Sequence, residues 1–559
     1  MKKEKCGVCL TLAAVLLGMT TSALAVPVSI GAIPDAGSVT ANIDQNRAWI
    51  PKKDEPDIQV DLGKTEVPES EIKIMVNEIR FTGQDVIPEE TLRDIVDGQI
   101  HRELTFDELA AVVRSVSDYL HVKGYVTAIA YLPTQEVRDG VVTVDVMLGK
   151  YGEIAFDNRS ALLTSRAMGL MNDNVTGRFI MKNELDRALL VLNDIPGVEA
   201  HAYLSPGKET GTADNVVRLD LTERSGGALY VDNYGSRYTG RFRMGGTYHW
   251  NNLTHVGDQL RLSYLQSNIG RIHNFDAQYE LPVGNDGTFM GVGVSRTDYD
   301  LGRQYAQLDA TGTSNDLRVY SRTPLKRTFY NSLYFNTQLA YSKVSDRIDY
   351  YGYDAQKHGL SFRFGFDGDY RNAHSASTYK LMHTVGRMTM ENDMARIAGA
   401  LNDTVGTYNK TNLDVYHVQR LDDHFTLTAS LSAQYAWHPL DSSEKMYIGG
   451  YNAVRAFPQG EHGGDIGTVF STELQYQFGD PHFKLAAFYD VGYARDKKRD
   501  MLGDDGADTL AGAGLGLIWT NGGSSYARLD YAFPLSDRYS STEGRRLDGM
   551  FWFQFVQKI

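Results

Sequence analysis

Two stretches in the C-terminal half interrupt an otherwise regular strand pattern, and each carries a charge that could be buried. The first is the long connection from Leu440 to Asp465, which holds Gly449-Gly450 and then Val454-Arg455-Ala456-Phe457. The second is a strand from Phe483 to Tyr493 containing Phe488-Tyr489-Asp490-Val491-Gly492. Side chains on a strand alternate between its faces. Leu485, Ala487, Tyr489, Val491 and Tyr493 therefore share one face, and Lys484, Ala486, Phe488, Asp490 and Gly492 share the other. If the apolar row meets lipid, Asp490 is an inward carboxylate, and Gly492 leaves room beside it for another backbone or a ring. A guanidinium holds a carboxylate through two parallel hydrogen bonds, which fixes geometry as well as charge. The chemistry in view is thus a latch, with the loop folded inward and Arg455 paired with Asp490. The alternative is an Arg455 solvated in a surface loop, as most loop arginines are. Spacing alone favours the solvated arginine.

Other chemistry is excluded rather than indicated. Cys6 and Cys9 are the only cysteines, and both precede residue 25. Disulfides, Cys-ligated zinc and thiol catalysis are therefore not expected in the mature chain. There is no G-x-S-x-G, H-E-x-x-H or P-loop motif. Gly512-Ala513-Gly514-Leu515-Gly516 is glycine-rich but lies in a strand with no helix after it, and reads as a smooth inner wall. His462, beside Glu461, reads as loop surface. No catalytic residue, metal site or cofactor is expected, and the chain is not read as an enzyme. The net charge of -14 argues against a nucleic-acid partner.

The element that must position Arg455 and Asp490 is a barrel. From about residue 225 to 559, segments of about ten alternating residues recur between Gly, Asn and Asp turns, the pattern of a transmembrane β-barrel. Leu260, Leu262 and Tyr264 alternate with Gln259, Arg261 and Ser263. Phe470, Leu474, Tyr476 and Phe478 alternate with Ser471, Glu473, Gln475 and Gln477. In the last segment Phe551, Phe553 and Phe555 share a face with Ile559. In a bilayer the apolar row meets lipid and the polar row a wet lumen. A soluble sandwich alternates in the same way with burial inverted. The leader, the cysteine-free mature chain and the 33 tyrosines favour the membrane. About sixteen antiparallel strands are expected, with the lumen loop at about 440–466.

The N-terminal part is different. Lys2, Lys3 and Lys5, the apolar run Val8 to Met19 and Ala23-Leu24-Ala25 read as a signal peptide over 1–25. Neither cysteine sits at a lipoprotein-like cleavage position, so no lipid anchor is expected. Residues 26–71 read as a short helix starting near Pro34 and Asp35, then a linker rich in charge and proline. Two units of similar plan follow, at 72–149 and 150–224, each in the order β-α-α-β-β. In the first, Thr105 and Glu108 form a capping box. The helix after it buries Leu109, Val112, Val113, Val116 and Leu120 at helical spacing. In the second, Leu185, Ala188, Leu189 and Leu192 share a helix face. Neither unit gathers acid, base or nucleophile, so both read as binding modules.

The whole mature chain resembles the two-partner-secretion (type V secretion) transporters of the Omp85 superfamily, the haemolysin secretion/activation family. Val454-Arg455-Ala456-Phe457 is similar to that family's lumen-loop motif. Phe488, Asp490 and Gly492 fall on its partner motif on the thirteenth strand. The first unit resembles a POTRA domain through Gly124-Tyr125, Tyr131-Leu132-Pro133-Thr134-Gln135 and Asp139-Gly140. The second resembles the next POTRA domain through Leu192-Asn193-Asp194-Ile195-Pro196-Gly197-Val198 and Ser205-Pro206-Gly207. Gly257-Asp258-Gln259-Leu260 and Tyr279-Glu280-Leu281-Pro282-Val283-Gly284 are family-like in the barrel. Pro34, Asp35, Ala36 and Gly37 resemble the start of a helix that plugs the resting pore. Ala456 departs from the family's usual glycine, and its methyl group disfavours positive φ. Arg455 and Phe457 remain, so with the resemblance the pairing becomes the expected reading.

The resemblance implies a fold of α+β periplasmic POTRA domains, an all-β outer-membrane barrel and an N-terminal plug helix. It implies a large secreted exoprotein as partner, an adhesin, cytolysin or toxin. That partner would be recognised unfolded through its N-terminal secretion domain, by strand addition to a POTRA sheet edge. It would then be exported through the pore, and activated where the family does so. Outer-membrane lipid, the barrel-assembly machinery and periplasmic chaperones are the further partners implied. Two rivals remain at this stage. A barrel-assembly insertase would usually carry more POTRA domains and no plug helix. A diffusion porin would leave about 150 residues unexplained.

Overall fold

A computed structural model of the chain describes residues 34–36, 38–40, 57–60, 73–171, 174–498, 506–535 and 539–559. The expected signal peptide, Gly37 and most of the 26–71 stretch lie outside the described residues. Pro34 and Asp35 have no regular structure. Ala36, Ser38, Val39 and Thr40 are helical, and Ala36 and Val39 are buried.

The first described strand, β1, is Asp57–Val60. Next come β2 Lys73–Val76, β3 Glu78–Thr82, helix α1 Glu89–Val96 and β4 Arg102–Thr105. Helix α2 Phe106–Val122, β5 Ile129–Tyr131 and β6 Val141–Met147 complete the unit. The Thr105 hydroxyl accepts from the Glu108 N–H at 3.2 Å, and the Glu108 carboxylate accepts from the Thr105 N–H at 2.8 Å. This reciprocal cap starts α2, whose apolar face packs on the sheet β3-β6-β5. The sequence reads as one strand from Ile72 to Phe81, but the chain breaks at Asn77. There the Asn77 N–H donates to the Gly140 carbonyl at 2.8 Å, and its side chain donates to the Asp139 carbonyl at 3.0 Å. Freed from β3, β2 pairs with β4, a strand too short and polar to show alternation.

The second unit contains β7 Lys150–Asn158, α3 Thr164–Leu170 and α4 Lys182–Asn193. Strands β8 Val198–Pro206 and β9 Thr212–Leu221 follow. Leu185, Leu189 and Leu192 of α4 are fully buried against the sheet β1-β8-β9-β7. That order corrects the reading of residues 52–71 as linker throughout, because β1 pairs in parallel with β8, from Asp57 opposite His201 to Val60 opposite Leu204. A four-residue segment shows no periodicity of its own. It becomes a strand because β8 offers an unpaired backbone edge.

The rest of the chain closes into a sixteen-stranded barrel. Its first strands are β10 Ser225–Asp232, β11 Arg243–Asn251, β12 Gln259–Ser267 and β13 Ile272–Val283. Taller ones follow: β14 Thr288–Asp300, β15 Ala310–Arg327, β16 Asn331–Ile348, β17 Tyr353–Arg371 and β18 Ser375–Met390. Helix α5 Asp393–Asn402 separates β18 from β19 Gly406–Arg420, and β20 Phe425–Ala436 comes next. Short pairs β21 Met446–Tyr447 and β22 Gly463–Gly464 lie within the loop after β20. Strands β23 Ile466–Gln477, β24 Phe483–Arg495, β25 Asp508–Asn521 and β26 Ser525–Pro534 return to the wall. A small far-side hairpin, β27 Tyr539–Ser540 and β28 Arg545–Arg546, precedes β29 Met550–Lys558. Strand β29 pairs with β10 and closes the ring.

The second unit docks under the near rim of this barrel. Arg327, at the near end of β15, holds Asp194 through two hydrogen bonds of 2.9 and 2.8 Å, and the Tyr334 hydroxyl donates to the same carboxylate at 3.2 Å. Arg166 donates to the Pro282 carbonyl at 2.8 Å, and Asn252 to the Pro196 carbonyl at 2.9 Å. Asp194 caps the C-terminus of α4, so that helix is tied to the barrel wall.

Candidate functional site

The connection between β20 and β23 starts at the far rim and folds down into the lumen. Its legs are paired through β21 and β22, and the Gly449 N–H donates to the Glu461 carbonyl at 3.0 Å. The turn between them presents Val454, Arg455, Ala456 and Phe457, all buried.

Arg455 meets the wall halfway along β24. Its Nε and Nη2 donate to the two oxygens of Asp490 at 2.8 Å each, and its backbone N–H donates to Asp490 Oδ2 at 3.1 Å. Asp490 is 0% exposed. Nη1 reaches Glu473 on β23 at 2.9 Å. The guanidinium plane lies 3.4 Å from the centre of the Phe488 ring, a stacked cation–π contact. Ser471 bonds Asp490 from the neighbouring strand. Arg528 on β26 donates to Glu473 at 2.6 Å and to Asp530 at 2.9 Å. Two guanidinium groups thus face three carboxylates, with each ion hydrogen-bonded. That satisfaction is what makes burial of the charges tolerable. From the last strand, the Trp552 indole N–H donates to the Arg455 carbonyl at 2.6 Å.

The apolar part of the tip needs close approach. A Cβ on Gly492 would come within 3.0 Å of Val454 and 3.1 Å of Ile448, so β24 has room for the loop only because residue 492 lacks one. Across the site, Ala456 lies directly on Gly512, where any Cβ would overlap its methyl group. Ala456 is not among the residues with positive φ. Its methyl therefore does not strain the turn; it packs onto a glycine in the wall. Val454, Ala456 and Phe457 join Phe488, Leu510, Ala532 and Trp552 in one buried cluster.

The loop is also held at its root and on its returning leg. Lys357 on β17 donates to Asp441 at 2.8 Å, and Lys410 on β19 pairs with Glu444 at 2.8 Å. His462, read as loop surface, is half-buried, and its neighbour Glu461 is held inside. It is buried and accepts from the Ser540 hydroxyl at 2.6 Å, the Ser541 N–H at 2.7 Å and the Thr542 N–H at 3.1 Å. The loop after β26 folds over it, which no local pattern reveals.

Of the residues singled out at the N-terminus, Ala36 donates its N–H to Asp346 at the far end of β16, at 2.7 Å. The Tyr299 hydroxyl donates to the same oxygen at 2.9 Å. Sequence reasoning missed Ser471, Glu473, Arg528, Asp530 and Trp552. Alternation places all of them on inner faces, but it does not say which inner polar groups converge.

A family model for the haemolysin secretion/activation protein ShlB/FhaC/HecB matches residues 213–518, and a ShlB-type POTRA domain matches residues 74–149. The chain is 27% identical over 539 residues to the heme/hemopexin transporter protein HuxB of Haemophilus influenzae strain 86-028NP, covering 94% of each. It is 24% identical to the outer membrane transporter CdiB of Dickeya dadantii over 473 residues, covering 79% of each. Its fold is similar to CdiB from Escherichia coli, with a TM-score of 0.69 at 20% identity over 89% of this chain and 92% of that one. BamA from Haemophilus ducreyi, lacking POTRA domains 1–3, superposes with a TM-score of 0.54 at 15% identity, over 87% of this chain and 100% of that one. The family match spans more than half of the sequence; the chain belongs to the haemolysin secretion/activation family ShlB/FhaC/HecB, as an outer-membrane β-barrel transporter with POTRA-type domains on the periplasmic side.

Proposed function

We propose that the barrel is a gated conduit for one large exoprotein. The partner is captured unfolded in the periplasm by the two α/β units and leaves through the lumen to fold outside. The observation that carries this reading is the clasp itself. A loop from the extracellular rim crosses the lumen and is held by buried charges, while a polar cavity of about 220 Å³ remains beside it, lined by Tyr416, Ser430, Tyr451, Glu473 and Arg528 among others. A loop held only by apolar packing would be costly to move as a unit. One held by hydrogen-bonded ions can exchange them for water or for the polar backbone of a passing chain.

The helical turn at Ala36, seated on Asp346, is the resting plug, and the Arg455 clasp keeps the loop in register until the plug leaves. The partner carries an N-terminal secretion domain that adds a strand to an α/β unit. The edge of β8, now covered by β1, is one such place. HuxB carries the name of a heme/hemopexin transporter. The cargo here is read as a long secreted chain. Folding outside the cell biases its movement.

The test is deletion of the gene followed by mass spectrometry of the culture medium, the cell surface and the outer membrane. Loss of one large protein from the first two, with other barrels at normal abundance, is the expected result. A general loss of outer-membrane barrels would make the protein an insertase, and an unchanged exoproteome would overturn export.

A further inference from the structure

On the outer wall, β14 to β18 share a feature that transport does not use. Outward residues on β17 run Tyr370, Phe366, Phe364, Phe362 and Leu360, and then turn polar at His358. The ten residue-to-residue steps from Tyr370 to Leu360 rise about 26 Å at about 3.4 Å each and a tilt of roughly 40°, close to the height of a barrel's apolar band. The upper edge of the lipid belt therefore falls between Leu360 and His358.

At that edge the wall is cationic. Arg296, Asn315, Lys343 and His358 stand directly opposite one another from strand to strand. The row beneath is Val294, Leu317, Tyr341 and Leu360, in the same cross-strand register and exposed by 41–52%. Arg387 on β18 pairs opposite Leu360 and closes the patch. Two carboxylates temper it, Asp298 on Arg296 at 2.7 Å and Glu391 on Lys343 at 3.3 Å and on His358 at 3.0 Å. Arg387 makes no ion pair among the described residues. Three permanent cations thus face two carboxylates on an outward surface. Elsewhere on the outer wall Trp437 after β20, Leu535 after β26 and Phe551 on β29 are exposed, and there a cation, Lys497, lies over the Tyr435 ring beside Trp437.

From this charge pattern, continuous with an apolar wall directly below it, we infer that the β14–β18 sector binds the phosphorylated headgroup of an outer-leaflet lipid. The acyl chains lie along Val294, Leu317, Tyr341 and Leu360, and the phosphate sits at Lys343 and Arg387. Guanidinium and ammonium groups recognise phosphate through charge-assisted hydrogen bonds.

The experiment is native mass spectrometry of the purified full chain in detergent. It is titrated with lipid A bearing both phosphates, with the same lipid dephosphorylated, and with inorganic phosphate. The variants are Arg387→Gln alone and the triple change Arg296→Gln, Lys343→Gln, Arg387→Gln. Heat-modifiable gel mobility verifies that each barrel is closed. The wild type retains phosphorylated lipid in preference to the dephosphorylated form. Arg387→Gln weakens that retention about threefold, the triple variant about tenfold, and dephosphorylated lipid binds all three proteins alike. Equal retention of phosphorylated lipid by wild type and folded Arg387→Gln would overturn the inference, as would equal binding of the two lipids by the wild type. Competition by millimolar inorganic phosphate would show a free-phosphate site instead and overturn the assignment to lipid.

Discussion

The methyl group of Ala456 rests on the bare backbone of Gly512, one on the lumen loop and the other on the barrel wall. Size at one position is therefore set by the absence of size at the other. Gly512→Ala should lift the loop tip, with a destabilisation of about 1–3 kcal/mol as for other overpacked sites. Adding Ala456→Gly should recover most of it. A double-mutant cycle on thermal unfolding of the purified barrel measures the coupling. Additive effects would show that the two residues do not share this contact.

Arg455→Ala removes one half of a buried, doubly hydrogen-bonded pair and leaves Asp490 unmatched. Such truncations cost about 3–5 kcal/mol. The barrel should still assemble, because its strand ladders are untouched, and heat-modifiable mobility should be retained. Export of the partner should fall at least tenfold. Arg455→Lys should be nearly as impaired, since an ammonium cannot hold both oxygens in one plane. Full export by the alanine variant would refute a role for the clasp.

Trp552→Phe keeps a ring in the cluster but withdraws the indole N–H from the Arg455 carbonyl. A buried acceptor left without its donor costs about 1–3 kcal/mol. Limited proteolysis of the lumen loop should become faster in this variant at unchanged barrel yield. An unaltered cleavage rate would mean that the last strand does not brace the loop.

Asp194 and Arg327 predict a stiff joint between the second α/β unit and the barrel. Asp194→Ala should widen the distribution of spin-label distances between α4 and a periplasmic turn, measured by pulsed electron resonance. Arg327→Ala should produce the same broadening, and the double variant no more than either single one. A distribution as narrow as the wild type's would place the rigidity in the neighbouring backbone contacts instead.

Asp346 accepts the N–H of Ala36 at the extracellular end of β16. Asp346→Ala should loosen the plug. Planar-bilayer recordings should then show more frequent open events, with unchanged conductance of the open pore. Recordings identical to the wild type would remove Asp346 from the seat of the plug.

Period-two alternation marked the strands, about sixteen of them, and set Asp490 opposite an apolar row, while the leader and the cysteine-free mature chain favoured lipid as what that row meets. A lipid-facing row and a wet row differ at every second residue, and that contrast survives without any tertiary knowledge. Helical spacing did the same for α2 and α4, and the Thr105–Glu108 cap marked where α2 starts. These are local rules, satisfied within about ten residues of chain.

The rest required the closed ring. Residues 455, 473, 490, 528 and 552 come from one loop and four strands. Alternation says that the four strand residues point inward and says nothing of Arg455 on its loop; the register and curvature of the barrel decide which inward groups meet. The same holds for β1, a strand only because β8 has a free edge, and for Glu461, buried only because a later loop folds over it. The sequence by itself determined the faces of the elements, because facing depends on neighbours in the chain. Tertiary structure alone decided the partners, because pairing depends on distances that the chain sets only once the barrel has closed.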